Sequence, residues 1–539
     1  MKTQLLFLSL RKKIRATIFL LAFSGIVHAQ KTKTHTMTTD EAKLVKKDAA
    51  TLFNTENYNT ALKGYEELVK VDPKNPEFNY RLGYCYLFTN VNKAKAIEYF
   101  EASPTVKTTH KEAAYFFGLA CMYAERWDDA IKFFNEYKTT SHSKQLKDLP
   151  DADRQIEMCN NAKELTAHPL NVTFANAGKA INTTYEDYNP FISADGKTLL
   201  FTSRRKGNLG GFIEDLGIFS ADVYFSMWKD TAWMKAKSAG AAINTEWDEE
   251  SVGLSADGAM ALIFFDNIEA SSDVAVAALK GKNWQKAILL GPPINTKEFE
   301  TAASMTLDGS TIYFASERKD TKGGSDLYMS KRKDNNEWGP AVNLGPTINT
   351  KYDEDAPYIS MDGKTLYFSS KGHNSMGGYD IFRSTYNDAT GNWNEPVNIG
   401  YPLNTADDNL FFSMTGDQRH AYIAAIRPEG FGDKDIYQVT YNDTTDHPFL
   451  AFISGIVASE TNAKIEITKA TLTIRAGDAV AMTYKPFSPG NEFVFAAKPG
   501  EYTLKIEGYN FQPYSENITI SNEYPLKNIV KKIIVKTGK

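Results

Sequence analysis

Residues 348–370 read INTKYDEDAPYISMDGKTLYFSS. The stretch holds an Asn-Thr step, an acidic segment, a short apolar run, an Asp-Gly turn and a second β-rich run. Asp-Gly between alternating apolar runs is a strong hairpin signal, because the turn needs a residue that accepts positive φ. The unit occurs five times. Its Asn-Thr step stands at Ile181-Asn182-Thr183, Ile243-Asn244-Thr245, Ile294-Asn295-Thr296, Ile348-Asn349-Thr350 and Leu403-Asn404-Thr405. Its turn stands at Asp195-Gly196, Asp257-Gly258, Asp308-Gly309 and Asp362-Gly363, and is reversed to Gly416-Asp417 in the last copy.

A third strand is predicted from Asp222, Asp273, Asp326, Asp380 and Asp435, and a fourth from Trp233, Trp284, Trp338 and Trp393. Four strands per unit, with turns 51 to 62 residues apart, is the pattern of a β-propeller blade. The fifth unit lacks its own fourth strand. Leu170–Ala175 precedes the first Asn-Thr step as Pro340-Ala-Val-Asn-Leu precedes the fourth, so pairing it into the last blade would close the ring and hide two sheet edges. The expectation is a propeller over 168–443 with five blades, six being the alternative count. Two places break the symmetry: extra residues around Phe212–Ser220, and a second blade without the Gly-Gly loop.

The chain has 539 residues, a net charge of −5 and a pI near 6.0. That balance gives no basic face for nucleic-acid phosphates. Residues 1–29 read as a secretory signal: Arg11, Lys12, Lys13 and Arg15, then apolar Ala16–Val27, then Val27-His28-Ala29 before Gln30. No later apolar segment is long enough to span a bilayer. Cys85, Cys121 and Cys159 are three, so they cannot pair completely, and no C-x-x-C spacing occurs. They read as buried apolar residues, with a Cys121–Cys159 bridge as the alternative.

Over 38–166 the apolar spacing is helical and recurs at about 34 residues. Ala61, Ala96 and Ala130 keep that step, as do Tyr65, Phe100 and Phe134; Leu82-Gly83 and Phe117-Gly118 mark a small-residue position on the preceding helix. These residues resemble the tetratricopeptide repeat. The resemblance implies three repeats, the first with Ala49 at the Gly position, then a capping helix over Asp151–Leu165. It also implies a concave partner-binding groove presenting Tyr80, Tyr84 and Tyr115, whose alternative role is packing between repeats. The basic carboxylate clamp of some such arrays is absent, since its Asn positions hold Ala50, Tyr84 and Leu119.

Residues 449–539 are β-patterned with another signature: Gly455-Ile-Val457, Lys498-Pro499-Gly500-Glu-Tyr502 and Gly508-Tyr509. They resemble the carboxypeptidase-regulatory-like domain, a seven-stranded β-sandwich. Lys531-Lys532-Ile-Ile-Val-Lys536 also looks like a secretion-sorting tail, the competing reading.

Carboxylates gather at the blade starts: Glu186-Asp187, Asp248-Glu249-Glu250, Glu298 and Glu300, Asp353-Glu354-Asp355 and Asp407-Asp408. A ring of them could hold a cation among oxygens, whereas repetition alone predicts that each caps its own turn. Ser193-Ala-Asp195-Gly196 is similar to a sialidase Asp-box but lacks its Asp–Gly spacing. No G-x-S-x-G elbow, H-E-x-x-H or H-x-x-E pair is present. The expectation is therefore no catalytic residue, no metal and no cofactor.

Signal segment, tetratricopeptide repeats, a propeller of the TolB-like PD40 or WD40-like type and a regulatory-like domain, in that order, resemble the PorE-type periplasmic proteins of Bacteroidota. The resemblance implies a non-enzymatic scaffold in the periplasm at the outer membrane. Its partners would be an outer-membrane β-barrel protein and other envelope proteins of type IX secretion and gliding, or of outer-membrane-protein assembly. Peptidoglycan would be reached indirectly, because the OmpA-like domain of those proteins is not found before Lys539. The alternative is a glycan- or peptidoglycan-binding module of the cell envelope.

Overall fold

The computed structural model describes residues 37–537, apart from 109, 111, 140–150, 214–216, 267–271, 282, 334, 336, 444–449, 462, 476–479, 485–490 and 522–528. The signal segment and the second blade's divergent loop lie outside the described residues.

Among the described residues seven α-helices come first: α1 (Thr39–Asn54), α2 (Tyr58–Val71), α3 (Pro76–Leu87), α4 (Ala96–Glu101), α5 (Ala113–Tyr123), α6 (Trp127–Thr139) and α7 (Ala152–Ala167). Caps set their starts. Thr38 and Glu41 form a reciprocal capping box on α1, and Asn75 caps α3 with Pro76 in its first turn. Small residues set how closely the pairs approach. A Cβ on Gly83 would stand 2.7 Å from the Phe100 ring, and one on Gly118 2.7 Å from the Phe134 ring. In the first pair the small residue has changed sides: Ala49 fills the Gly position, and Gly64 on α2 faces its Cβ, where a methyl would stand 2.8 Å away.

Five antiparallel sheets follow, as a five-bladed ring. The first three strands of blades 1 to 4 are Asp187–Ile192, Thr198–Ser203 and Asp222–Lys229; Asp248–Leu254, Met260–Asp266 and Asp273–Lys280; Glu300–Met305, Thr311–Ser316 and Asp326–Lys331; and Glu354–Ile359, Thr365–Ser370 and Asp380–Asn387. Blade 5 comprises Ser413–Met414, His420–Ala425 and Asp435–Tyr441, and its outer strand is Val172–Asn176, in register from Val172↔Tyr441 to Asn176↔Tyr437. The ring thus closes through its first strand, leaving blade 5 no open outer edge there.

The fourth strand, expected to begin at each Trp, comes in two short pieces in blades 1, 2 and 4. Ala232–Trp233 and Lys237–Ser238 pair separately with the third strand of blade 1, as do Asn392–Trp393 and Val397–Asn398 in blade 4. Between the halves the backbone turns toward the neighbouring connection: Ala236 N–H donates to Ala180 O and Ala287 N–H to Ala242 O. In blades 3 and 4 the gap holds Pro340 and Pro396, which have no N–H to give a ladder.

The last domain is a sandwich of a three-stranded sheet (Glu492–Ala497, Ala451–Ser459, Ile529–Val535) and a four-stranded one (Val480–Tyr484, Glu466–Ile474, Gly500–Tyr509, Tyr514–Ile520). Phe495, Leu472, Leu504 and Ile533 meet in its core. Gly508 is required by close approach, since its Cβ would overlap Glu466 O, and Tyr502 Oη donates to Lys498 O at 2.8 Å. The lysine-rich end is part of this sandwich: Ile529–Val535 runs parallel to Ala451–Ser459, with Ile533 and Val535 buried.

Candidate functional site

The Asn-Thr step is a structural joint. Each Asn side chain bonds both backbone groups of one residue in the third strand of the preceding blade. Asn244 accepts from Val223 N–H and donates to Val223 O; Asn349 does the same with Leu327, and Asn404 with Ile381. Asn182 does so with Ile436, which locks blade 1 to blade 5. The adjacent Thr is held by the side chain four residues on. Asp187, Glu249, Glu300 and Glu354 accept from the backbone N–H and hydroxyl of Thr183, Thr245, Thr296 and Thr350, and Asn409 accepts from Thr405. Burial pushes the Glu249 and Glu354 carboxyls up to about 7.

Four of the twelve acidic residues at the blade starts are therefore used by the fold at its own Asn-Thr joints. Several of the others neighbour cations. Arg204 lies between Glu186, Asp248 and Glu250 at 3.5 to 3.7 Å, over the Tyr188 ring, and Tyr188 Oη donates to Glu250 at 2.8 Å. Lys371 pairs with Asp353 at 3.2 Å. Burial alone would raise the Asp408 carboxyl, but Lys371 and Lys93 hold it below the usual range. Among the described residues no three His, Cys, Asp or Glu side chains are grouped as a metal site.

The helical array docks on this face of the ring. Lys93 reaches Asp407 at 2.5 Å, Asn90 reaches Glu186 at 3.4 Å and Tyr401 reaches Glu125 at 3.3 Å. Buried Arg154 of α7 donates to Lys371 O at 2.6 Å, Gly372 O at 2.9 Å and His373 O at 3.2 Å, over the Tyr352 ring, while Asn161 donates to Ser375 O. Met376 of blade 4 is buried in the array's own core. The irregular insertion is a short ribbon, Phe212–Ile213 with Ile218–Phe219, and a Cβ on its Gly217 would stand 2.7 Å from Asn57 Oδ1 at the start of α2.

The opposite face meets the sandwich. Ala194, Ala256, Leu307 and Met361, each just before the Asp of an Asp-Gly turn, pack with Leu450, Val494 and Ala496. Each axial face of the ring is thus engaged by another part of the same chain. Beside the sandwich, blades 3 and 4 wall a cleft of about 670 Å³ containing Tyr313, Tyr386, Trp393, Asp308 and Asp362.

The groove residues expected from sequence are corrected by their placement. Tyr80 and Tyr115 are buried, Tyr80 against Phe100 and His110 and Tyr115 against Phe134 and Tyr137. Half-buried Tyr84 packs on Phe53, Tyr58, Phe88 and Phe116. All three hold the array together because aromatic rings fill the space between stacked helix pairs. Cys85, Cys121 and Cys159 are buried free thiols, so the Cys121–Cys159 bridge is not formed, and burial pushes Cys121 and Cys159 up to about 12. Sequence reading missed Arg154, Lys93 and Met376. One signal was available: Arg154 shares a face of α7 with buried Met158 and Ala162, where a guanidinium needs acceptors beyond Glu157, its ion-pair partner at 2.9 Å on the same helix.

These features define the class: a helical-repeat array and a β-sandwich mounted on the two faces of a closed five-bladed propeller. Residues 54–137 match the family Anaphase-promoting complex, cyclosome, subunit 3. No curated protein matches the chain in sequence. Among solved structures it is similar to a putative TolB from Agrobacterium tumefaciens, at 15% identity over 61% of this chain and 97% of that one, TM-score 0.31. It is also similar to a thermostable family-43 glycoside hydrolase (14%; 58% and 98%; 0.33) and to Kuenenia stuttgartiensis hydrazine synthase (13%; 61% and 79%; 0.26).

Proposed function

We propose that this chain is a non-enzymatic scaffold of the cell envelope, acting in the periplasm at the outer membrane. It would hold an outer-membrane β-barrel protein together with other envelope proteins, as in type IX secretion and gliding or outer-membrane-protein assembly. The observation that carries the reading is the buried docking of α7 on blade 4, where Arg154 binds three successive carbonyls. Two modules built for large contact surfaces are held by it at a fixed angle, which suits an adaptor that sets the geometry between partners. The repeat order and the seven-stranded sandwich, with Tyr502 and Gly508 in one strand of its larger sheet, support kinship with PorE-type proteins carrying a regulatory-like domain.

Cross-linking in intact cells followed by co-purification tests this. The scaffold should bring down an outer-membrane β-barrel protein in fixed ratio, and recovery free of membrane proteins refutes the reading. The cleft lined by Tyr313, Tyr386 and Trp393 favours a second reading, a glycan-binding module, because aromatic rings beside carboxylates suit sugar rings and their hydroxyls. Retention on purified cell wall, lost on Trp393→Ala, would select it instead.

A further inference from the structure

With both axial faces of the ring engaged, its rim remains, and there one hairpin departs from its counterparts. In blade 1 the third strand turns into the fourth through Met227-Trp228-Lys229-Asp230-Thr231-Ala232-Trp233-Met234. Trp228 pairs with Trp233, and Met234 N–H donates to Met227 O at 3.0 Å. Met227 and Met234 are each 44% exposed and Trp228 39%; the places of Trp228 in blades 2 and 4 hold half-buried Leu279 and Tyr386, the latter 37% exposed. The places of Met227 and Met234 hold Ala278 and Gln285, Lys331 and Gly339, and Thr385 and Asn394 in the next three blades. An exposed aromatic at the place of Trp228 recurs in blade 4 as Tyr386, but among these four blades the pair of exposed methionines beside it belongs to blade 1.

Its neighbours are cationic. Lys197, Lys229, Lys235 and Lys237 are all exposed around it, while the nearby acids are Asp230 and Asp195, the latter accepting from Ser193 Oγ and Lys197 N–H. Trp233 anchors the base of the ribbon, its ring 5.3 Å from Trp228 and 6.2 Å from Tyr422 of blade 5.

We propose that this hairpin is a wedge that seats the ring's rim on an anionic lipid bilayer. Trp228, Met227 and Met234 would enter the interfacial zone and the four lysines would meet the headgroups. Two arguments choose a bilayer over a protein. Paired residues share a face and successive residues alternate, so Trp228 with Trp233 and Met227 with Met234 make both faces of the ribbon apolar. A protein groove would have to wrap the ribbon on two sides, whereas a fluid interface surrounds it. Trp favours the membrane–water boundary, and lysines beside an apolar surface draw it to anionic headgroups.

The test is co-sedimentation of the purified protein with vesicles of phosphatidylglycerol in phosphatidylcholine, and with phosphatidylcholine alone, with tryptophan emission recorded alongside. The protein should pellet with the anionic vesicles and its emission should shift to the blue. The double variant Trp228→Ser/Met234→Ser should lose both signals, and each Lys→Gln change among the four should weaken binding about fivefold at low salt. These side chains are exposed, so the variants should melt with the parent, which separates a binding defect from misfolding. Binding by the double variant equal to the parent's, or a parent that stays in the supernatant with anionic vesicles, overturns the proposal and leaves the hairpin to a protein partner.

Discussion

Asn404→Ala should cost this protein far more than the loss of one surface amide. The side chain is fully buried; it accepts from Ile381 N–H at 2.8 Å and donates to Ile381 O and Asn398 Oδ1, both at 2.8 Å. Truncation strands the N–H of Ile381, itself 1% exposed, while its carbonyl keeps the bond from Ile399 N–H at 3.1 Å, and a buried orphan costs about 1–3 kcal/mol. Asn398 Oδ1 still accepts from Gly400 N–H, so that bond adds about 1 kcal/mol and the whole change costs about 2–4 kcal/mol. Asn295 supplies an internal control. It makes the same two bonds to Val274, at 3.1 and 2.9 Å, but exposed Leu289 stands where Asn398 does. Asn295→Ala should therefore cost about 1 kcal/mol less. Guanidinium unfolding followed by tryptophan fluorescence gives the comparison through differences between variants, which do not require the three domains to unfold as one. Near-isosteric Asn404→Asp should rescue nothing, because its second oxygen would face Ile381 O. An Asn404→Ala variant within about 1 kcal/mol of the parent, or an Asn295→Ala variant that loses more, would refute the joint as the reason for the repeated Asn.

Other changes follow from close approaches, turn backbone and buried acids. Gly83→Ala pushes a methyl into the Phe100 ring and should cost about 1–3 kcal/mol by thermal unfolding of the helical signal; Gly64→Ala should be rescued by Ala49→Gly, and failure of that rescue would deny that the small residue has changed sides. Gln418 takes φ +58 at the turn where the other blades place glycine, and its side chain gives only one bond, to Ser360 at 3.2 Å; Gln418→Gly should gain about 0.5 kcal/mol, and a clear loss of stability speaks against strain there. Burial pushes Glu249, Glu354 and Asp380 up to about 7, so the folded chain keeps protons that the unfolded chain has released. Tm should therefore rise as pH falls from about 8 to about 6.5, the penalty being full above the folded values; His373, held below its usual value by burial, acts in the opposite sense only at lower pH, and a Tm that falls across the window contradicts the sign.

The repeated parts of the fold were readable because each blade solves one backbone problem with the same side chains. Asn182, Asn244, Asn295, Asn349 and Asn404 all bond a strand residue 21 to 23 positions before them in the chain, or across the closure in the first case, and that regularity surfaces as Asn-Thr. The broken fourth strand was not readable, since its tryptophans mark where the strand begins and carry no record of the amide turned away at Ala236 or Ala287. The groove tyrosines misled for another reason: helical spacing places Tyr80 and Tyr115 on one face but cannot tell a face turned to a partner from one turned to the next helix. The apolar face of α7 marks Arg154 as unusual, but not what it binds, because its acceptors are main-chain carbonyls more than 200 residues away, and carbonyls leave no mark in a sequence.

The docking of the array follows a gap in the repeat. In blades 1 and 3 the second strand ends Ser-x-Arg, and Arg205 and Arg318 each bond that serine's hydroxyl and the carbonyl of the Ile before the Asn-Thr step, Ile181 and Ile294. Blade 4 has Ser370-Lys371-Gly372, with Thr350 occupying the space a side chain at 372 would need. There His373 takes over the Ile348 carbonyl and the Gly372 N–H turns to the Ser370 hydroxyl. The guanidinium missing from the blade arrives from outside it: Arg154 of the helical array covers the carbonyls of Lys371, Gly372 and His373. These carbonyls are a different set from the serine hydroxyl and Ile carbonyl that Arg205 and Arg318 bond, so the departure of this loop from the repeat is what the helical array reads. The apolar hairpin of blade 1 has the same logic on the rim. In a ring whose regular positions are spent on holding itself closed, recognition is left to the positions where one blade departs from the rest.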